Sequence, residues 1–272
     1  MRRVLLTGGT GFVGRQILRA LLKAGVEVRL TVRGGQTVPS EVEPWPMVDL
    51  FAASQGALEA ACADVDTVIH AAWYAEPGKY LTSALNLECL AGSVRLGQAA
   101  VSAGVRRFVG IGTCFEYDLS AGYLRSTTPV APHTLYGATK ASTYLTLERL
   151  MVQEARSFAW CRLFYLHGEG EDPRRLVPYL RARLAAGEPT DLTSGRQIRD
   201  YLDVEEAGRR IVAVALSPVE GALNICSGQP VTVAQLAARI AEEFGRTDLL
   251  RFGARADDPG DPPCVIGEPI YV

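Results

Sequence analysis

The sequence predicts an α/β fold, a doubly wound parallel sheet with a smaller C-terminal lobe. Apolar β-rich runs alternate with helix-like runs through the first 168 residues, and a glycine-rich turn joins the first strand to the first helix. After Gly168 the alternation gives way to helices separated by polar turns. Residues 4–7 form the first strand, and the run VLLTGGTGFVGRQIL turns it into an amphipathic helix that begins near Phe12. Phe12, Val13, Ile17, Leu18, Leu21 and Leu22 lie on its apolar stripe. Further strands are expected at residues 28–32, 47–49, 67–70, 108–112 and 158–165, and helices at residues 50–63, 81–103 and 134–155, the last with Thr134 as N-cap. The polar segment GEGEDPRR then leads into helices at residues 176–186, 204–216 and 233–244, and the tail from Arg255, rich in Asp, Pro and Gly, reads as a loop. The expected division is a Rossmann-type dinucleotide-binding domain over residues 1–168. A smaller substrate-binding lobe over residues 169–272 is interleaved with the end of the sheet.

Composition narrows the partners. The 272 residues are 48% hydrophobic with a formal net charge of −2, and the basic residues are scattered, so no nucleic-acid partner is expected. No apolar run approaches the length of a membrane span, and Met1, Arg2 and Arg3 lead straight into a strand, which predicts a cytoplasmic protein without a membrane anchor. The six cysteines (Cys62, Cys89, Cys114, Cys161, Cys226, Cys264) are far apart and form no CxxC pair. Reduced, mostly buried thiols are expected, with no metal site.

Gly8, Gly11 and Gly14 carry the most chemistry in the N-terminal run. A turn this tight needs residues without a Cβ, so that the backbone can approach a pyrophosphate whose charge lies on the helix N-terminus. With Phe12 and Val13 they form the expected dinucleotide cradle. NAD-preferring sites place a carboxylate about 20 residues after the glycines. Here no carboxylate lies between Arg29 and Gln36, and Arg33 stands at the strand end, where a guanidinium can pair with a 2′-phosphate. NADP is therefore the expected cofactor and NAD the alternative; the competing picture is an arginine stacked on adenine or turned to solvent. Tyr136 and Lys140, in PHTLYGATKAS, are four residues apart and share a helix face. An ammonium there can stabilise the phenolate and pull the phenol pKa down from about 10, making tyrosine a proton donor and acceptor. The bland alternative is a half-buried Tyr136 with Lys140 as a solvated charge.

The order of the glycine turn, VIHAAWY, FVGIGTCFEY and YGATK resembles the extended short-chain dehydrogenase/reductase family. The later segment SGRQIRDYLDVEEAGRRI is similar to its sugar-nucleotide epimerases, dehydratases and ketoreductases, and the resemblance runs from Arg3 to about Pro263. It implies Thr113, four residues before Tyr117, as the hydroxyl partner of catalytic Tyr136 and Lys140. Cys114 and Phe115 stand where the dehydratase branch carries Asp and Glu, which disfavours dehydration. Asn86 lies near the family's further catalytic asparagine, but an ungapped count falls on Cys89, and neither is assigned. Asp49 and Leu50 are implied beside the adenine, Ala71 and Ala72 along the pyrophosphate and nicotinamide ribose, and Phe164 by the nicotinamide, with His70 a packed strand-end residue. Thr113, Tyr165 and Arg199 are the implied substrate contacts: Arg199 matches an arginine that holds a nucleotide diphosphate, and Tyr165 stands where relatives often carry an asparagine.

The resemblance implies a ketoreductase for a nucleotide-activated 4-keto (often 6-deoxy) sugar, with Tyr136 as proton donor. The alternatives are an NAD-dependent nucleotide-sugar 4-epimerase and, in another class, a dinucleotide-sensing regulator without turnover. It also implies a homodimer through helices 81–103 and 134–155; Thr143, Thr146 and Leu150 share one face at helical spacing and are candidates for that interface, with packing against the sheet as the alternative. The stop at Ile270-Tyr271-Val272 leaves out a final helix that relatives place near the substrate.

Overall fold

The structure is a computed structural model in which residues 3–270 are described; Met1, Arg2, Tyr271 and Val272 lie outside them. In chain order the elements are β1 (Arg3–Thr7), α1 (Phe12–Lys23), β2 (Glu27–Val32), β3 (Val42–Pro46), α2 (Gln55–Cys62), β4 (Thr67–His70), α3 (Leu85–Ser102), β5 (Arg107–Thr113) and β6 (Tyr123–Leu124). They continue with α4 (Leu135–Gln153), β7 (Ser157–Leu163), β8 (Tyr165–His167), α5 (Leu176–Ala185), β9 (Thr190–Asp191), β10 (Ile198–Asp203) and α6 (Val204–Leu216). The last are β11 (Gly221–Ile225), β12 (Pro230–Thr232), α7 (Val233–Glu243), β13 (Leu250–Arg251) and β14 (Cys264–Gly267).

Seven parallel strands form the main sheet in the order β11-β7-β5-β4-β1-β2-β3. Strands such as β4 and β5 are buried along their whole length, as expected where helices cover both faces. On one face α1 and α6 bury Ile17, Leu21 and Ile211 against the sheet, and each such side chain contributes about 2 kcal/mol. On the other, α2, α3 and α4 bury Leu58, Leu96, Leu147 and Met151 against Phe108, Phe158 and Trp160. Strand order reverses between β1 and β4, so a crevice opens beyond their C-terminal ends. A second sheet, β12-β10-β14-β6 with β8 beside β10, flanks that crevice, and α5 and α7 pack together around Leu180, Leu184 and Ile240. Among the described residues no helix is long and apolar enough to cross a membrane.

Several elements differ from expectation: the helices expected from residues 50 and 81 begin at Gln55 and Leu85, and strands β10 and β11 were not expected. The third strand is residues 42–46 rather than 47–49: Pro44 and Pro46 cannot donate to a ladder, but β3 is the sheet edge and pairs with β2 alone. The run expected as one strand over 158–165 breaks at Phe164, where the chain leaves the main sheet and enters the second as β8. The tail is not all loop, because β14 pairs with β10 and β6 and buries Val265 completely. That pairing joins residues far apart in sequence, which a four-residue run does not announce.

Candidate active site

The first strand ends in a turn that leaves no room for a side chain at Gly8 or at Gly14 beyond it. Gly8 has φ of +72°, and a Cβ there would lie 2.6 Å from the Ala72 amide nitrogen; a Cβ on Gly14 would lie 2.0 Å from the Gly8 carbonyl oxygen. The turn is therefore pressed onto the segment after β4. Gly11, the N-cap of α1, provides no side-chain cap, and the helix's first turn holds no carboxylate. Its N-terminal amides are open to an anion from outside the chain. Gly8, Gly11, Phe12, Val13 and Gly14 line one end of a cavity of about 780 Å³, and Arg33, Asp49, Leu50, Ala71, Ala72 and Phe164 line it too. This donor set and space fit a dinucleotide.

Thr113, Tyr136 and Lys140 line the same cavity. Thr134 caps α4 by accepting a hydrogen bond from Gly137 N at 3.1 Å, which starts the helix one residue before Tyr136. Lys140 is buried; Nζ donates to the Ile111 carbonyl at 2.6 Å and lies 3.9 Å from the centre of the Trp73 ring. Burial lowers its pKa to about 7, against the opposing pull of Glu116 and Cys89. The Tyr136 ring meets Tyr80 edge-on at 4.8 Å and Trp73 at 6.4 Å. Burial raises the Tyr136 pKa, while a hydrogen bond with the Thr113 side chain opposes the rise. The expected lowering of the phenol by the ammonium is thus corrected: Tyr136 is half-buried on the cavity wall, and desolvation is the largest influence on its hydroxyl.

Behind Thr113 lies a buried polar frame that sequence reasoning missed. Thr113 Oγ1 accepts from Phe115 N at 3.3 Å, and Thr113 N donates to Glu116 Oε1 at 2.9 Å. Glu116 is fully buried and also accepts from Trp160 Nε1 at 2.9 Å and from Arg162 Nε at 2.7 Å. Arg162 stacks over the Tyr117 ring at 4.4 Å, and the Tyr117 hydroxyl donates to Asn224 Oδ1 at 2.7 Å. The available signal was Glu116 itself, a carboxylate three residues after an apolar strand. The cavity thiols are held neutral by burial, which raises the pKa of Cys89 and pushes that of Cys114 up to about 12.

The remaining expected residues are dispersed. His70 is a packed strand-end residue between Thr7 Oγ1 at 2.7 Å and Ser93 Oγ at 2.8 Å. Ser93 donates to the Cys89 carbonyl, so it accepts from His70 Nε2, and Nδ1 accepts from Thr7. Tyr165 lines the main cavity and also a second one of about 330 Å³. Arg199 lines only the second, with Arg175, Tyr201 and Asp261, and its guanidinium pairs with Asp261 at 2.5 Å. Asn86 is fully buried and accepts a hydrogen bond from Trp73 Nε1, whose residue lines the main cavity.

Comparison with known proteins places this arrangement. Residues 4–226 match the model for the NAD dependent epimerase/dehydratase family. A dTDP-6-deoxy-L-talose 4-dehydrogenase (NAD(+)) of Aggregatibacter actinomycetemcomitans is 24% identical, over 84% of this chain and 85% of that protein. A UDP-glucose 4-epimerase of Neisseria meningitidis serogroup B is 26% identical, over 100% of this chain and 90% of the relative. Among solved structures, the Thermus thermophilus UDP-glucose 4-epimerase complex with NAD superposes with a TM-score of 0.81 at 24% identity, covering 98% of this chain and 90% of that one. MoeE5 in complex with UDP-glucuronic acid and NAD gives a TM-score of 0.80 at 26% identity, with the same coverage. The second of these structures corrects the expectation of NADP, since the dinucleotide bound in MoeE5 is NAD. The physical reason is that Arg33 is exposed, and a guanidinium that stacks on a flat ring as readily as it pairs a phosphate does not specify a 2′-phosphate.

Proposed function

The chain belongs to the NAD dependent epimerase/dehydratase family, and on that premise we propose that it is an NAD-dependent oxidoreductase acting at C4 of a nucleotide-activated sugar, as a 4-epimerase. The observation that carries this is the presence of Thr113, Tyr136 and Lys140 in one cavity with the uncapped glycine turn of α1. When bound, NAD supplies reversible uptake of hydride. Tyr136 exchanges the proton of the C4 oxygen, Thr113 donates to that oxygen and orients it, and Lys140 offers a positive charge beside them. Trp73, Tyr80 and Phe115 keep water from the reacting carbon. Arg199 holds the diphosphate from the second cavity, and its ion pair with Asp261 is the contact that a phosphate must share or displace.

Relatives named as 4-epimerases support the epimerase over the ketoreductase reading. The relative named as a 4-dehydrogenase keeps net reduction as the second reading. The two separate in one experiment. Protein is purified, denatured and its released dinucleotide weighed by mass spectrometry, and native protein is incubated with UDP-glucose and UDP-galactose or, separately, with a nucleotide-activated 4-keto sugar and NADH. Released NAD together with interconversion of the two UDP-sugars and no net redox change is the expected result. Stoichiometric NADH consumption by the keto sugar, with no interconversion, would select the reductase; no reaction with either would reject both.

The reading includes a homodimer through α3 and α4. Thr143 is fully buried and cannot belong to such a face, whereas Leu87, Leu145 and Val152 are exposed on these helices.

A further inference from the structure

The aromatic wall beside Lys140 does more than exclude water. Trp73 stands just after β4, and its Nε1 donates to Asn86 Oδ1 at 2.8 Å. Asn86 is itself immobilised, since Nδ2 donates to the carbonyls of Tyr80 at 2.6 Å and Ser83 at 2.9 Å. Rotating the indole would therefore break a hydrogen bond to a fully buried amide. Phe51 and Tyr136 meet the same ring edge-on, each at 6.4 Å. The indole face so held lies 3.9 Å from Lys140 Nζ, while the Ile111 carbonyl takes one ammonium hydrogen at 2.6 Å. An ammonium has three donors, so these two contacts leave one for a ligand in the cavity.

Resting on the reading of Lys140 as a catalytic residue, we propose that Trp73 is a positioning residue that holds the Lys140 ammonium against the Ile111 carbonyl through its indole face, with Asn86 locking the indole in place. The attraction works against desolvation, which otherwise favours the uncharged amine. The titratable groups around Lys140 are Glu116 beyond β5, which favours the ammonium, and the neutral thiol of Cys89 on α3, together with His70 on β4 and Tyr136 on its own helix. A leucine at position 73 would bring apolar volume without a π face, and a phenylalanine a weaker one.

The test needs no substrate. The chain has three lysines, Lys23, Lys79 and Lys140, so protein carrying 13C,15N-lysine allows each side chain to be titrated by NMR, with Lys140 identified by its loss in Lys140→Arg. Trp73→Leu is expected to lower the Lys140 midpoint by about one pH unit, and Trp73→Phe by about half of that. Uniform 5-fluorotryptophan, which weakens the π face with little change of shape, is expected to lower the midpoint in the otherwise unaltered chain and to have no effect in Trp73→Phe. An unmoved or raised midpoint in both the leucine variant and the fluorinated protein would overturn the proposal. So would an equal fluorine effect in Trp73→Phe, which would assign the attraction to Trp160, whose ring centre lies 5.9 Å from Nζ. A midpoint shift in a protein without sugar turnover would leave the positioning role standing and remove the proposed reaction. With turnover, the alkaline limb of kcat moves with the midpoint while KM for the sugar holds.

Discussion

Tyr136 and Lys140 are one helical turn apart, yet burial rather than mutual charge sets how each titrates. The phenol takes and returns the C4 proton in the proposed reaction, so Tyr136→Phe is expected to lower kcat about 10²- to 10⁴-fold while leaving NAD affinity, measured by calorimetric titration, within a few-fold. His70 offers a test of the buried polar chain. Burial, reinforced by Lys140, lowers its folded pKa to about 3 from 6.5. Between those values the unfolded chain binds the extra proton, so stability that is complete above pH 6.5 is lost as the pH falls toward 3. His70→Gln, which keeps a donor and an acceptor but does not titrate, is expected to flatten the fall of Tm between about pH 6.5 and 4. Equal slopes in the two proteins would contradict the assignment. Tyr136 and Lys140 were legible because their relation is local, whereas Trp73, Asn86 and the Glu116–Arg162 pair show their roles only through partners brought together by folding.

The junction of β1 and α1 is where sequence and geometry agree most closely. Three glycines there predicted close approach, and the positions that a Cβ on Gly8 or Gly14 would take fall inside neighbouring backbone. Gly14→Ala should therefore force the turn apart, lowering stability by about 1–3 kcal/mol in denaturant unfolding and abolishing NAD binding. Retained affinity would show that the turn yields without loss of the cradle. Other elements were less legible. The edge strand β3 carries two prolines that ordinarily argue against a strand, and β14 is too short to show a period.

Across the whole molecule, the chain returns after its second sheet has begun, adding β11 to the main sheet before β14 completes the smaller one. The main cavity and the Arg199 cavity consequently share Tyr165, Leu166 and Arg175. The exposed apolar residues of α3 and α4 belong to this scale as well. Sedimentation is expected to show a dimer, and the pair Leu145→Glu with Val152→Glu a monomer of unchanged Tm per chain at low protein concentration. A monomeric unaltered protein would remove the dimer from the reading.

Spacing along the chain was enough for the α/β class, the glycine cradle and the Tyr136–Lys140 pair, because strand alternation, tight turns and helix faces are set by residues a few positions apart. Folding was needed to show that desolvation dominates at the phenol and the amine, that Glu116 braces Thr113, and that Arg199 pairs with Asp261 in an adjoining cavity. Those properties depend on which distant side chains exclude water or supply an opposite charge, and such neighbours exist only once the sheet has closed over its helices.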